Sequence, residues 1–342
     1  MADFDFMAGS RKQTSQVRRA WLRAVLCGVA MVPSLTLLAQ QKSKPWRVGF
    51  LASGSSSMRV YEGFRQGMRG LGYVEGESVD VQWRFADGNY DRLAGLAADL
   101  VRAKNVDVIV AGTTLSVQAA RQATATIPIV MVAVPDPVGE GFAKSLSRPG
   151  GNITGLSNIV TEVSVKHVEL LRAAVPRLVQ LAVLINPRNP SDALILEQIH
   201  GAAYTRGMKV VAIEASTESQ IDAGFGAMTR ARAEALIVAE DSYFDVQTRR
   251  ITQLAIRNRL PTICSNQEMT EAGALMSYGQ DLTEHYRRAA TYVDRIQKGA
   301  KPANLPIEQP TTLELVLNSR TAAALGLAVP QELALRADKL IE

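Results

Sequence analysis

The sequence predicts a layered α/β protein of two lobes, each built on a parallel sheet, with a ligand cleft between them. Three observations predict it. From Arg47 onward, apolar runs alternate with stretches of helical periodicity. The runs "RVGFLAS", "VDVIVAG" and "IPIVMVAV" are continuously apolar, as strands buried on both faces are. The whole pattern then restarts after "RPGGNITGLS". Two parallel sheets that each need helices on both faces cannot share one core of this size, so two lobes follow. Open sheets of this kind bind ligands at the carboxyl ends of their strands.

A chain of 342 residues is long for one core, which agrees with that reading. Its formal net charge is +5, but Arg11, Lys12, Arg18, Arg19 and Arg23 stand against only Asp3 and Asp5 in residues 1–39. Most of the excess therefore belongs to the leader, and a nucleic-acid partner is set aside. That leader, 1–39, reads as an export signal: a basic region, the apolar run "AVLCGVAMVPSLTLLA" and a small residue, Ala39, at the expected cut. The run is short and broken by Pro33, unlike a membrane span. "RRAWL" resembles a loose twin-arginine signal, so Sec and twin-arginine export both stay open. Cys27 follows Leu26, where a lipid-attachment site needs a small residue, so a lipoprotein is not expected. Cleavage leaves Cys264 alone in "LPTIC", where a small buried hydrophobe is the expected role.

Each element follows in order. "SVDVQWRFA" alternates as an edge strand does. Tyr61, Phe64, Met68 and Leu71 repeat at helical spacing, as do Leu93, Leu96, Ala97, Leu100 and Val101. The second half holds strands in "LVQLAVLIN", "KVVAIEAS", "ALIVAE" and "LPTICSN". Helices are expected near 193–204, 221–232 and 246–257. "LMSYG", a helix over 281–298 and a late strand "TTLELVLN" complete the pattern. The expected boundaries are 46–156 for lobe 1, completed by about 275–325, then 157–274 for lobe 2 and a helical tail over 326–342. "RPGGN" is the expected first crossing between lobes, with Gly150 and Gly151 as hinge residues. "EAGALMSYG" is the expected second, with Gly273.

The blocks "GFRQGMRGLGYVEGESVDVQWRFADGNYDRLAGLAADLV", "PDPVGEGFAKSLSRPGGNITGLS" and "AGALMSYGQDLTEHYRRAATYVDRIQKGAKPANLPIEQPTTLELVLN" resemble the ABC-transporter substrate-binding protein family related to tryptophan/tyrosine-binding lipoproteins. The resemblance runs from about Trp46 to the end. It implies a type I periplasmic-binding-protein fold: two Rossmann-like lobes joined by a hinge, with the ligand in the cleft. It also implies a cognate ABC permease with its cytoplasmic ATPase as partner, and monomeric function. It does not name the solute.

A cleft that captures an amino-acid-like zwitterion needs donors for the carboxylate and an acidic partner for the ammonium. Thr113 and Thr114 follow a buried strand and open a helix, where free N–H groups favour an anion; one of them can instead simply cap the helix. Asp136, between Pro135 and Pro137, has a directed side chain, and either an ammonium contact or an Asx turn fits it. Glu240 and Asp241 end a strand of the second lobe and face the cleft or cap the next helix. Tyr243 or Phe244 stacks on a ring or packs plainly. Ser53, in "ASGSSS", together with Asn186, Asn266 and Tyr278, are candidates by topology.

No G-x-S-x-G elbow, P-loop or H-E-x-x-H is present, and "GFRQGMRGLG" carries a helical apolar stripe rather than a nicotinamide-binding turn. His167, His200 and His285 are scattered on predicted helices, where surface or capping roles are expected. The expectation is therefore a non-enzymatic periplasmic receptor, without cofactor or metal, that closes on a small, possibly aromatic, amino-acid-like solute for an ABC importer. The alternative is an exported ligand-sensing module that docks on a receptor or sensor kinase.

Overall fold

The structure is a computed structural model that describes residues 45–102 and 106–342. The expected export signal, with Cys27 and the cut after Ala39, lies outside the described residues.

The first lobe is a five-stranded parallel sheet. Its strands are β1 (Trp46–Ala52), β2 (Val79–Phe85), β3 (Val108–Thr113), β4 (Ile129–Val134) and β5 (Ile153–Ser157), in the order β2-β1-β3-β4-β5. The alternating run expected at an edge is indeed the edge strand β2. Helix α1 (Val60–Gly70) covers one face, and α2 (Arg92–Arg102) and α3 (Thr114–Ala123) cover the other. Continuous apolar runs are what this arrangement requires. Val108 and Val110 of β3 enter the core under α1, while Ile109 and Ala111 enter the core under α2 and α3.

The second lobe carries α4 (Val160–Ala174), β6 (Gln180–Ile185), α5 (Asp192–Tyr204), β7 (Lys209–Glu214), α6 (Glu218–Arg230) and β8 (Ala235–Val238). It continues with α7 (Ser242–Val246), α8 (Thr248–Arg257), β9 (Thr262–Cys264), α9 (Gln267–Glu271) and β10 (Met276–Gly279). Helix α10 (Leu282–Gln297) then goes back to the first lobe, where Tyr286, Ala289, Ala290, Tyr292 and Val293 join the core under β1 and α1. The chain ends in the second lobe with β11 (Glu314–Asn318), α11 (Ser319–Leu325), α12 (Gln331–Leu335) and β12 (Lys339–Ile341). The second sheet has the order β12-β11-β10-β9-β8-β6-β7 and is parallel except where β10 meets β11.

Two expectations about the chain path are corrected here. Of residues 275–325, only the segment around α10 belongs to the first lobe. Met276, Leu315 and Leu317 pack beside Ile263 in the core of the second, so β10 and β11 extend its sheet. The tail over 326–342 is not wholly helical, because β12 pairs with β11. The crossings also lie elsewhere than expected. Gly150, with φ +78°, donates its N–H to the Ala303 carbonyl at 3.1 Å, in a turn that leads into β5. "ITGLS" is a fully buried strand of the first sheet, so the chain crosses after it, at Asn158 and Ile159. Gly273, with φ +126°, sits between α9 and β10 inside the second lobe. The second crossing is Gln280–Asp281, and a third follows Glu308, which bridges Leu156 of β5 before the chain reaches β11.

The glycine-rich stretch in α1 has a packing cause. Gly63 and Gly67 face α10, and a Cβ on Gly67 would lie 2.5 Å from the Arg287 carbonyl oxygen and 2.7 Å from Ala290 Cβ. The two helices approach backbone to backbone. His167 and His285 are buried, contrary to the surface role expected, because their helical stripes face the sheets. His167 Nε2 meets the Tyr278 carbonyl at 2.7 Å, and burial pushes its pKa down to about 4. Cys264 is buried, and burial raises its thiol to about 12. Gly67→Val is expected to destabilise the protein by about 1–3 kcal/mol through overpacking. Denaturant melts of the variant, with Gly70→Ala as a control because nothing lies within 4 Å of a Cβ there, check this.

Candidate functional site

The carboxyl ends of β3 and β4 face those of β6 and β8 across a cavity of about 70 Å³. On the first lobe, β3 runs directly into α3 at Thr113, whose extended backbone (φ −138°, ψ 168°) and side chain cap the helix. Thr113 Oγ1 accepts from Ser116 N at 3.3 Å and lies 2.7 Å from Ser53 Oγ; Ser53 Oγ is 2.9 Å from Ser116 Oγ. This hydroxyl triangle fixes the helix start. Thr114 and Leu115 line the cavity at the first turn, where backbone N–H groups have no acceptor in their own helix.

On the second lobe, Glu240, Asp241 and Asp245 line the same space, and among the described residues no Lys, Arg or His does. Asp241 caps α7: its Oδ1 accepts from Tyr243 N at 3.0 Å and from Asn186 Nδ2 at 3.1 Å. Its Oδ2 accepts from Tyr90 OH of the first lobe at 2.6 Å. Asp192, buried behind it, accepts from Asn186 N at 2.6 Å. Burial is the main cause that raises all four carboxyls. It takes Asp192 to about 8, with Asp241 adding to it, and Glu240 to about 7 against the hydrogen bonds of Asn158 and Ser265. Asp245 also rises to about 7, against the Asn266 hydrogen bond. Asp241 rises too, held back by Tyr90 and Asn186.

The remaining walls are apolar and aromatic. Tyr61 of α1 and Tyr286 of α10 meet edge to face at 5.1 Å, and Met58, Val160, Ile195 and Leu282 complete the surface. The cleft is closed. Besides Tyr90–Asp241, Arg188 pairs with Asp91, and Arg59 pairs with Glu271 and with Glu268 at 3.5 Å. A Cβ on Gly88 would lie 3.0 Å from the Tyr243 ring. The exposed ion pairs contribute little, so the buried Tyr90–Asp241 bond is the principal latch.

Of the residues singled out from sequence, Thr113, Thr114, Glu240 and Asp241 line the cavity. Ser53 and Asn186 stand one layer behind, holding Thr113 and Asp241. Asp136 does not reach the site. It is exposed, and its Oδ1 accepts from Gly139 N at 2.7 Å in its own Asx turn. Tyr278 packs against the core of the second lobe, away from the cavity. Phe244 is core, and Asn266 caps α9 while donating to Asp245 Oδ1 at 2.9 Å. Sequence reasoning missed Tyr61, Tyr90, Asn158, Asp245 and Tyr286. Tyr61 and Asp245 stand near the start of a helix, whereas Tyr90 lies in a loop and Tyr286 in the second turn of α10, so no shared local signal points to them.

A family model described as "ABC transporter substrate binding protein" matches residues 47–341. The chain belongs to this family. A tyrosine-binding protein of Clostridioides difficile (strain R20291) is 26% identical over 287 residues, 84% of this chain and 82% of that protein. A crystal structure from Streptococcus pneumonia, described as an ABC domain in complex with L-Trp, has a TM-score of 0.78 at 26% identity; the match covers 87% of this chain and all of that one. A conserved domain protein of Vibrio cholerae O1 biovar eltor str. N16961 has a TM-score of 0.80 at 28% identity, with the same coverage. Members of the family are substrate-binding proteins of ABC transporters. No described helix is long and apolar enough to cross a membrane, and no described group of three or more His, Cys, Asp or Glu side chains could hold a metal ion.

An open cleft would hydrate the carboxyls and return them toward their ordinary range, so the closed form is expected to bind more protons than the open one. Linkage then favours closure as pH falls from 8 to 6, through the raised values near 7 and 8. Small-angle scattering of the ligand-free protein is expected to show a smaller radius of gyration at pH 6. An unchanged or larger radius would refute the account. Asp136→Ala is expected to leave ligand affinity within about twofold, read by calorimetry.

Proposed function

We propose that the protein is the substrate-binding component of an ABC importer and captures a small amino-acid-like zwitterion with an apolar or aromatic side chain. The observation that carries this reading is the asymmetry of the cavity. One wall offers the N-terminal turn of α3, the opposite wall offers carboxylates with no basic side chain, and tyrosines with aliphatic side chains lie between. A carboxylate suits the first wall and an ammonium the second, and an apolar body fills the remainder. Asp241 is committed to its cap and to Tyr90, so Glu240 and Asp245 are the carboxylates left for an ammonium. The tyrosine-binding and L-Trp-bound relatives support an aromatic amino acid as the solute class.

The mechanism is a population shift. The ligand engages one lobe in the open form and favours closure only by the contacts that closure adds, here across Tyr90–Asp241 and Asn158–Glu240. Binding occurs without turnover, in the periplasm, by a monomer that delivers the solute to its permease and ATPase.

The test is a thermal-shift and calorimetry screen of the mature chain against amino acids, aromatic acids, sugars and nucleosides. A ligand at a hundred times its dissociation constant stabilises by about 2.7 kcal/mol. An amino acid with an apolar or aromatic side chain is expected to stabilise the protein. Its deaminated and decarboxylated analogues are each expected to bind at least about tenfold more weakly, as is the parent to Glu240→Gln. A selective response to sugars would overturn the reading.

A further inference from the structure

The two buried amides that flank the acidic wall come from the two segments where the chain first passes between lobes. Asn158, on the first crossing, is 4% exposed; its Nδ2 donates to Glu240 Oε1 at 3.3 Å, and its Oδ1 is buried with no hydrogen-bond partner. Gln280, on the second crossing, has both Oε1 and Nε2 buried with no partner. Buried polar atoms are normally satisfied, so these mark a place where a partner belongs. Gln280 lines a chamber of about 10 Å³ with Glu240, Asp245, Ser265, Asn266 and Leu282. Glu240, Asp245 and Leu282 also line the main cavity, while Ser265, Asn266, Gln280 and Leu282 also line a second cavity of about 480 Å³, so the chamber lies between the two and borders the main cavity through its carboxyls.

The chemistry there is one-sided. Asn158 and Asn266 take only part of the acceptor capacity of Glu240 and Asp245, since a carboxylate offers about four lone-pair sites. The Gln280 amide, turned to present its own oxygen, adds to that surplus inside the chamber, and the Asn158 oxygen adds to it from the main cavity, beside Glu240. The chamber has room for about one water-sized group. A water would supply two donors and no charge, leaving protonation as the only way to neutralise the two buried carboxyls. A primary ammonium supplies three donors and the missing positive charge in one heavy atom.

We propose that Gln280 and Asn158 complete a seat for a primary ammonium group, so that the protein accepts primary amines and rejects their N-methylated forms. This rests on the reading of the ligand as an amine-bearing zwitterion and narrows it. Each N-methyl group removes a donor and brings a second heavy atom into a chamber sized for one. Because the seat is assembled from both crossing segments, its occupant also ties them to the acidic wall of the second lobe.

The experiment is calorimetry with the amino acid that emerges from the screen and its N-methyl and N,N-dimethyl forms. Methylammonium and tetramethylammonium are run beside them as free-standing probes. The wild-type protein is expected to lose at least about tenfold in affinity at the first methyl and more at the second. Gln280→Leu, close in size but without the amide, is expected to lose at least about tenfold for the primary amine while its ligand-free melting temperature holds or rises. Equal affinity for the methylated ligand overturns the seat. So does a Gln280→Leu variant of unchanged affinity and raised melting temperature, which would mean that the chamber holds a water only. If methylammonium binds and tetramethylammonium does not, while no amino acid binds, the seat stands and the amino-acid reading falls. If no primary amine binds at all, both fall.

Discussion

The carboxyls of Asp192, Glu240, Asp241 and Asp245 converge beyond the ends of β6 and β8. Like charges buried together cannot all ionise without compensation, and burial is the cause that raises each of them. Only part of the compensation is built in. Asn186, Asn158 and Asn266 each donate to one of these carboxyls, and Tyr90 donates to Asp241 from across the cleft. What the fold withholds is a basic side chain on the cavity surface. The acidic wall of the second lobe is therefore neutralised only by protonation or by a cation from outside that wall.

The parallel sheets are what allow such a site to exist. Strand ends carry backbone and side-chain groups that their own sheet does not satisfy, and both lobes aim those ends at one another. β3 delivers a helix start and β8 delivers a pair of carboxylates. The crossings join the two lobes, and the path of the chain explains why they sit beside the cavity. β5 and β10 each finish in one lobe, and the next helix belongs to the other. Asn158 and Gln280 are the residues that span those gaps. α10, which follows the second crossing, packs backbone to backbone on α1 at Gly63 and Gly67. Tyr61 and Tyr286, carried by those two helices, reach the cavity together for the same reason.

Much of this architecture is legible in the sequence because burial on both faces leaves a strong pattern. Runs such as "VDVIVAG" and "ALIVAE" can only be strands in the middle of a covered sheet, and their ends identify Thr113, Thr114, Glu240 and Asp241. The failures have equally physical causes. "RPGGN" carries the residues of a sharp reversal and does make one, yet the five residues that follow form one more buried strand, and the crossing moves beyond them. Asp136 is directed by its flanking prolines, but toward its own turn. Tyr61 stands on a helical stripe that periodicity assigns to the core, and it serves core and cavity at once. Asn158 and Gln280 carry no local signal, since their meaning depends on which lobe each neighbouring element joins.

The contacts that join the two lobes do not all act in the same direction. The Tyr90–Asp241 bond gains a short hydrogen bond between a neutral phenol and a carboxylate, and burial together with Asp241 holds that phenol protonated. Against that gain stands the confinement of Glu240 and Asp245, which in the closed state hold protons more tightly than ordinary carboxyls do. The two effects arise on adjacent residues and oppose one another. The latch draws the lobes together through Asp241, and the neighbouring carboxylate resists unless it is protonated or faced by a cation. A neutral solute of the right shape would fill the cavity and leave the resistance in place. A cationic group removes it. The desolvation of these carboxyls and the bond that joins the lobes thus fall on neighbouring residues, and each is felt by the other.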